Sequence, residues 1–87
     1  MDLRDVFAAN LRRLRHQKGF SQDDLAYEAD VSRSYLSQLE KGAFYASLKI
    51  VGRLAAALGV EPAELLRLPP DGRHPGRPSN SRDPQGA

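Results

Sequence analysis

The chain has no cysteine, no tryptophan and a single methionine, and only two histidines. Without cysteine there is no disulfide, no thiolate zinc site and no thiol nucleophile, which fits a reducing cytoplasm. His16 and His74 are far apart and lack nearby ligand spacing, so no metal site is expected. No apolar run approaches the length of a membrane-crossing helix, and the opening MDLRDVF has no signal-peptide apolar region. The expectation is a soluble, cytoplasmic protein with no membrane partner. The chain also has no Ser/His/Asp set and no phosphate-cradling glycine loop, and its 87 residues suffice for one small domain. An enzyme is therefore not expected, nor a cofactor.

Proline is nearly absent until the end: five of the six lie in residues 69–87, PPDGRHPGRPSNSRDPQGA, where no aliphatic residue is larger than the final alanine. That stretch cannot bury enough surface to order itself, so residues 1–68 read as the folded domain and 69–87 as a disordered tail. Charge of either sign is not in large excess. A formal net charge of +2 permits nucleic-acid binding without demanding it. Its distribution says more, since Arg12, Arg13, Arg15, His16 and Lys18 cluster near the end of the first helical pattern while Asp23, Asp24, Glu28 and Asp30 surround the second.

What is present is helical periodicity. Leu3, Val6, Phe7, Leu11 and Leu14 give a first helix over residues 2–18, ended by Gly19, with Phe20 packing under the turn. Ser21 suits an N-cap, with Asp24 completing a capping-box-like arrangement. Residues 22–41, QDDLAYEADVSRSYLSQLEK, then read as two short helices with Val31 in the turn between them. Leu25, Ala26 and Ala29 form one apolar face, Leu36 and Leu39 the other, and Ala26 is small enough for close helix crossing. Ser32 can cap the second of these helices. Gly42 ends it as a left-handed cap, AFYA forms a loop in which Phe44 packs inward, and Ser47 caps a fourth helix with Leu48, Val51, Leu54, Ala55 and Leu58 inward. Gly59 ends that helix, and Pro62 starts a very short fifth one carrying Leu65, Leu66 and Leu68.

With Leu36 and Leu39 inward, the third helix presents Arg33, Ser34, Ser37 and Gln38 outward. A solvated face is the plain reading of such a surface. A helix entering a major groove, however, reads base edges with side chains near its N-terminus, and Arg33 can bond both acceptors of guanine. Gln38 can pair with adenine in the same way or reach a phosphate instead.

These residues also carry a resemblance. SQDDLAYEADVSRSYLSQLEKG, preceded by LRRLRHQKGF and followed by SLKIVGRLAAALGV, resembles the Cro/CI-type, or Xre, helix-turn-helix repressors over about residues 3–68. Two positions depart from the family: Asp30 stands where Gly is usual in the turn, and Ala46 where Pro is common before the Ser-Leu of the next helix. The resemblance implies an all-α, compact five-helix domain that binds double-stranded DNA as a transcriptional regulator; the outward face then gives Arg33, Ser34, Ser37 and Gln38 as the expected base contacts, the two serines being able to bond either a base or a phosphate. It implies backbone contacts from Gln22, Ser32, Tyr35, Lys41 and Tyr45, although Tyr35 could equally stack on the core edge. It aligns Arg15 and Glu40 with a pair that ties the first helix to the third; two solvated charges are the alternative.

Ile50, Leu65, Leu66 and Leu68 exceed the needs of one small core and are expected at a homodimer interface, with Leu65 equally able to finish the monomer core. A homodimer implies a palindromic operator. A restriction-modification controller protein, an antitoxin repressing its own operon, and an interaction module that has lost DNA binding and takes a protein partner remain as alternatives.

Overall fold

Each α-helix begins at a short polar side chain that accepts a backbone N–H, the bond that an unpaired first-turn amide needs. In the computed structural model, which describes residues 2–68, Asp2 accepts from the Arg4 amide at 2.9 Å, Ser21 Oγ from Asp24 at 3.0 Å, Ser32 Oγ from Tyr35 at 3.0 Å and Ser47 Oγ from Ile50 at 3.2 Å. The helices that follow are α1 (Leu3–Gln17), α2 (Gln22–Ala29), α3 (Arg33–Glu40) and α4 (Leu48–Leu58). The tail expected over 69–87 lies outside the described residues.

The expected fifth helix is not an α-helix. Pro62–Leu66 forms a five-residue 3₁₀ helix in which the Glu64 amide bonds the Glu61 carbonyl at 2.9 Å. Pro62 has no amide to give, Glu61 supplies no side-chain cap, and five residues are too few to establish the wider ladder. Its end is held from outside. Asn10 Nδ2 donates to the carbonyls of Leu65 at 3.0 Å and Arg67 at 2.8 Å, satisfying groups that the short helix leaves open.

Leu11, Leu25, Leu36, Leu39, Leu54 and Leu65 are fully buried and make one core shared by all five elements. Leu65 thus closes the monomer core and has no surface left for an interface. Three other expectations also change. Leu3 and Leu48 end their apolar stripes on the outside, Leu48 being 85% exposed, and Phe44 is exposed rather than inward. Leu3 and Leu48 are the first residues of their helices, and with Phe44 and Leu66 they line an open groove instead of the core.

The α2–α3 turn is closed by the Val31 amide on the Ala26 carbonyl at 2.9 Å. It requires a left-handed residue, and Asp30 takes that conformation at φ 59°, ψ 48°. Aspartate is among the few side chains that tolerate it. Gly42, at φ 76°, turns the chain out of α3 against the start of α1, where a Cβ would lie 2.9 Å from Asp5 Oδ1.

Candidate nucleic-acid interface

The position of α3 is set by its inward face and its C-terminal end. Leu36 and Leu39 sink into the core, and at the C-terminal end Glu40 is buried against α1. Arg15 Nε donates to Glu40 Oε2 at 2.6 Å and Arg15 Nη2 to Oε1 at 3.0 Å, a two-point fork. Arg15 Nη1 also donates to the Phe20 carbonyl at 3.0 Å, and Arg12 donates to the Glu40 carbonyl. Gln22 Nε2, at the start of α2, donates to Glu40 Oε1 at 3.1 Å. One buried carboxylate therefore joins α1, α2 and α3, and its oxygens are satisfied by three N–H groups, the condition under which a buried charge is tolerated.

This leaves a polar face outward. Arg33 and Ser34 are exposed, and Ser37 and Gln38 are half-buried beside them. Ser32 accepts the Tyr35 amide with its oxygen, so its hydroxyl hydrogen remains to donate. Gln22 gives one of its two amide hydrogens to Glu40 and keeps the second. Lys41 and Tyr45 are exposed past the end of α3. Tyr35 is half-buried and stacks on Phe44, ring centroids 6.0 Å apart and planes 20° apart, so its ring belongs to the edge of the fold. The Arg4 guanidinium lies 4.8 Å from the centre of the Tyr45 ring.

Three of the basic residues clustered on α1 bond within the protein, although Arg12 and Arg13 remain exposed. Arg15 and Arg12 hold Glu40, and Arg13 donates to Asn10 Oδ1 at 3.0 Å. Among the described residues, no group of three or more His, Cys, Asp or Glu side chains could hold a metal ion, and no helix is long and apolar enough to cross a membrane.

Residue-by-residue reading missed Asn10, Arg12 and Asp23. Asn10 falls three residues after Phe7, on the apolar stripe, and a polar residue there was the available signal. Asp23 lies 3.4 Å from Arg33 Nε, a contact between different helices that no spacing along the chain announces.

Comparison with known proteins places this geometry. A family described as helix-turn-helix domain matches residues 6–68. A hypothetical transcription factor of Neisseria meningitidis is 43% identical over 72 residues, covering 83% of this chain and 67% of the relative. Its crystal structure superimposes with a TM-score of 0.74 over 80% of this chain and 79% of that one. The control protein C.BamHI of Bacillus amyloliquefaciens is 38% identical over 66 residues, 75% of this chain and 82% of the relative. The restriction-modification controller protein C.AhdI of Aeromonas hydrophila, 42% identical, matches with a TM-score of 0.69 over 71% of this chain and 94% of its own.

Proposed function

The chain belongs to the helix-turn-helix family of DNA-binding transcriptional regulators, of the Cro/CI or Xre type, and is not an enzyme; on that premise we propose that it binds a palindromic operator as a homodimer, with α3 of each subunit in a major groove. The observation that carries this reading is the outward face of α3, where Arg33, Ser34, Ser37 and Gln38 face away from the core on a helix held by the buried Arg15–Glu40 fork. Arg33 supplies a forked donor for guanine and Gln38 a donor and acceptor for adenine, with Ser34 and Ser37 alongside. Gln22, Ser32, Lys41 and Tyr45 contact phosphates and set the register; the remaining Gln22 amide hydrogen and the Ser32 hydroxyl suit that task. Tyr35 contributes its hydroxyl from the rim of the same face.

Two subunits related by a two-fold axis would read half-sites about 34 Å apart, one turn of DNA. The apolar surface proposed for pairing is Leu66 and Leu68, together with the half-buried Ile50 and with Leu48 and Phe44, which are exposed on the groove they share with Leu66. A contiguous exposed apolar patch on a small domain marks an interaction site, and a second copy of the chain is the occupant proposed for it.

Within this class a controller-protein role is favoured by likeness to control proteins: C.BamHI is 38% identical and C.AhdI 42% identical, the matches covering 82% and 94% of them. Selection of bound sequences from a random duplex pool tests the proposal. A palindrome bound by two subunits is the expected result, with affinity falling steeply as salt rises. Arg33→Ala should cost about 1–3 kcal/mol and relax preference at one base pair per half-site. A variant that kept both affinity and base preference would overturn the role given to Arg33.

A further inference from the structure

Arg33 does not project alone. Its Nε lies 3.4 Å from Asp23 Oδ1, and the two side chains are 61% and 78% exposed. The pair joins the second residue of α2 to the first residue of α3. In water an ion pair this exposed contributes little to folding. Nor does the start of α2 need Asp23 as a cap, because Ser21 Oγ already accepts the Asp24 amide there.

An acidic side chain at this place works against general affinity for DNA. It adjoins Gln22, assigned above to a phosphate, and would sit beside the polyanion with the wrong sign. In the first turn of α2 it favours the helix dipole, a role that needs no partner on α3, and across the turn it meets Arg33. A guanidinium has five N–H donors along a planar fork, and a carboxylate at Nε occupies one edge while leaving both terminal nitrogens free. Those two nitrogens are the pair that can meet N7 and O6 of a guanine together.

We propose that Asp23 is a positioning residue for base reading: it holds the Nε edge of Arg33 so that the terminal edge meets a guanine, and it discourages Arg33 from settling on a phosphate. This rests on the assignment of Arg33 as a base contact. Bringing α3 into the groove displaces water from around the pair, which lowers the local dielectric and strengthens the attraction at the moment it is needed. The same carboxylate repels phosphates on any sequence. Asp23 thus exchanges some general affinity for discrimination at one base pair.

The test compares the full chain with Asp23→Asn, Arg33→Ala and the double variant. Each is titrated against the selected operator, against operators changed at each base pair, and against an unrelated duplex; thermal melting checks that all are folded. Arg33→Ala should remove the guanine preference at one pair per half-site. Asp23→Asn should lower that same preference about fivefold, raise affinity for the unrelated duplex, and steepen the salt dependence. In the Arg33→Ala background it should leave base preference unchanged. Asp23→Asn that shifted every duplex equally, with guanine preference intact, would overturn the proposal while leaving Arg33 as a reader. No loss of preference in Arg33→Ala would instead remove the assignment on which the proposal stands.

Discussion

Glu40 shows how much one side chain can organise. It is 4% exposed and Arg15 11% exposed, so neither charge is well hydrated, and the fork between them substitutes for water. Removing one partner strands the other. Glu40→Ala should therefore destabilise the domain by about 3–5 kcal/mol, measured by urea unfolding. Glu40→Gln keeps an acceptor and should cost less.

Asp2 offers a second test at this scale. The Arg4 side chain first, and then the Arg4 amide, lower its carboxyl from 3.8 to about 2. A depressed carboxyl stabilises the folded state above its unfolded value, and that contribution is lost as pH falls from about 4 to about 2. An NMR titration should place the Asp2 midpoint near the lower value. Arg4→Ala should move it back up.

At the scale of elements, the α2–α3 turn tolerates a residue that its geometry does not favour. Asp30 is the only non-glycine residue with positive φ among the described residues. Glycine there would remove the left-handed strain while adding freedom to the unfolded chain, so Asp30→Gly should gain about 0.5 kcal/mol on balance. A branched side chain cannot adopt this conformation without strain, and Asp30→Val should lose about 1–2 kcal/mol. Thermal melting of the two variants against the parent orders them, and a Val variant as stable as the parent would contradict the strain argument. The other departure from the family, Ala46, is half-buried and packs against the core, and Ser47 caps α4 beside it. The loop into α4 is thus anchored without proline.

At the scale of the molecule, adjacent leucines serve different ends. Leu65 is fully buried, whereas Leu66 and Leu68 are exposed. Leu65→Ala should cost about 2–5 kcal/mol of folding stability at any protein concentration. The proposed dimer interface predicts that Leu66→Asp together with Leu68→Asp leaves the monomer folded, shifts sedimentation from dimer to monomer, and weakens operator binding. A double variant that stayed dimeric would move the interface elsewhere.

The residue order sets where most helices start and stop, because caps and left-handed residues act within a few positions: Ser21, Ser32 and Ser47 could be read directly, as could Gly42 and Gly59, whereas the cap at Asp2 could not. It also determined which face of α3 would be left polar, since Leu36 and Leu39 had to go inward. Periodicity names a face but not what covers it. Leu3 and Leu48 continue their stripes and still end outside, Phe44 stacks on Tyr35 at the surface, and Leu65 turns in where Leu66 turns out. The short fifth element shows the same limit, for its 3₁₀ form follows from its brevity and from Asn10, 55 residues earlier. Only the crossing of α1, α2 and α3 could bring Gln22 and Arg15 to one carboxylate, or Asp23 to Arg33. Those contacts depend on angles between helices, and they decide which polar groups are held inside the protein and which remain free to meet DNA.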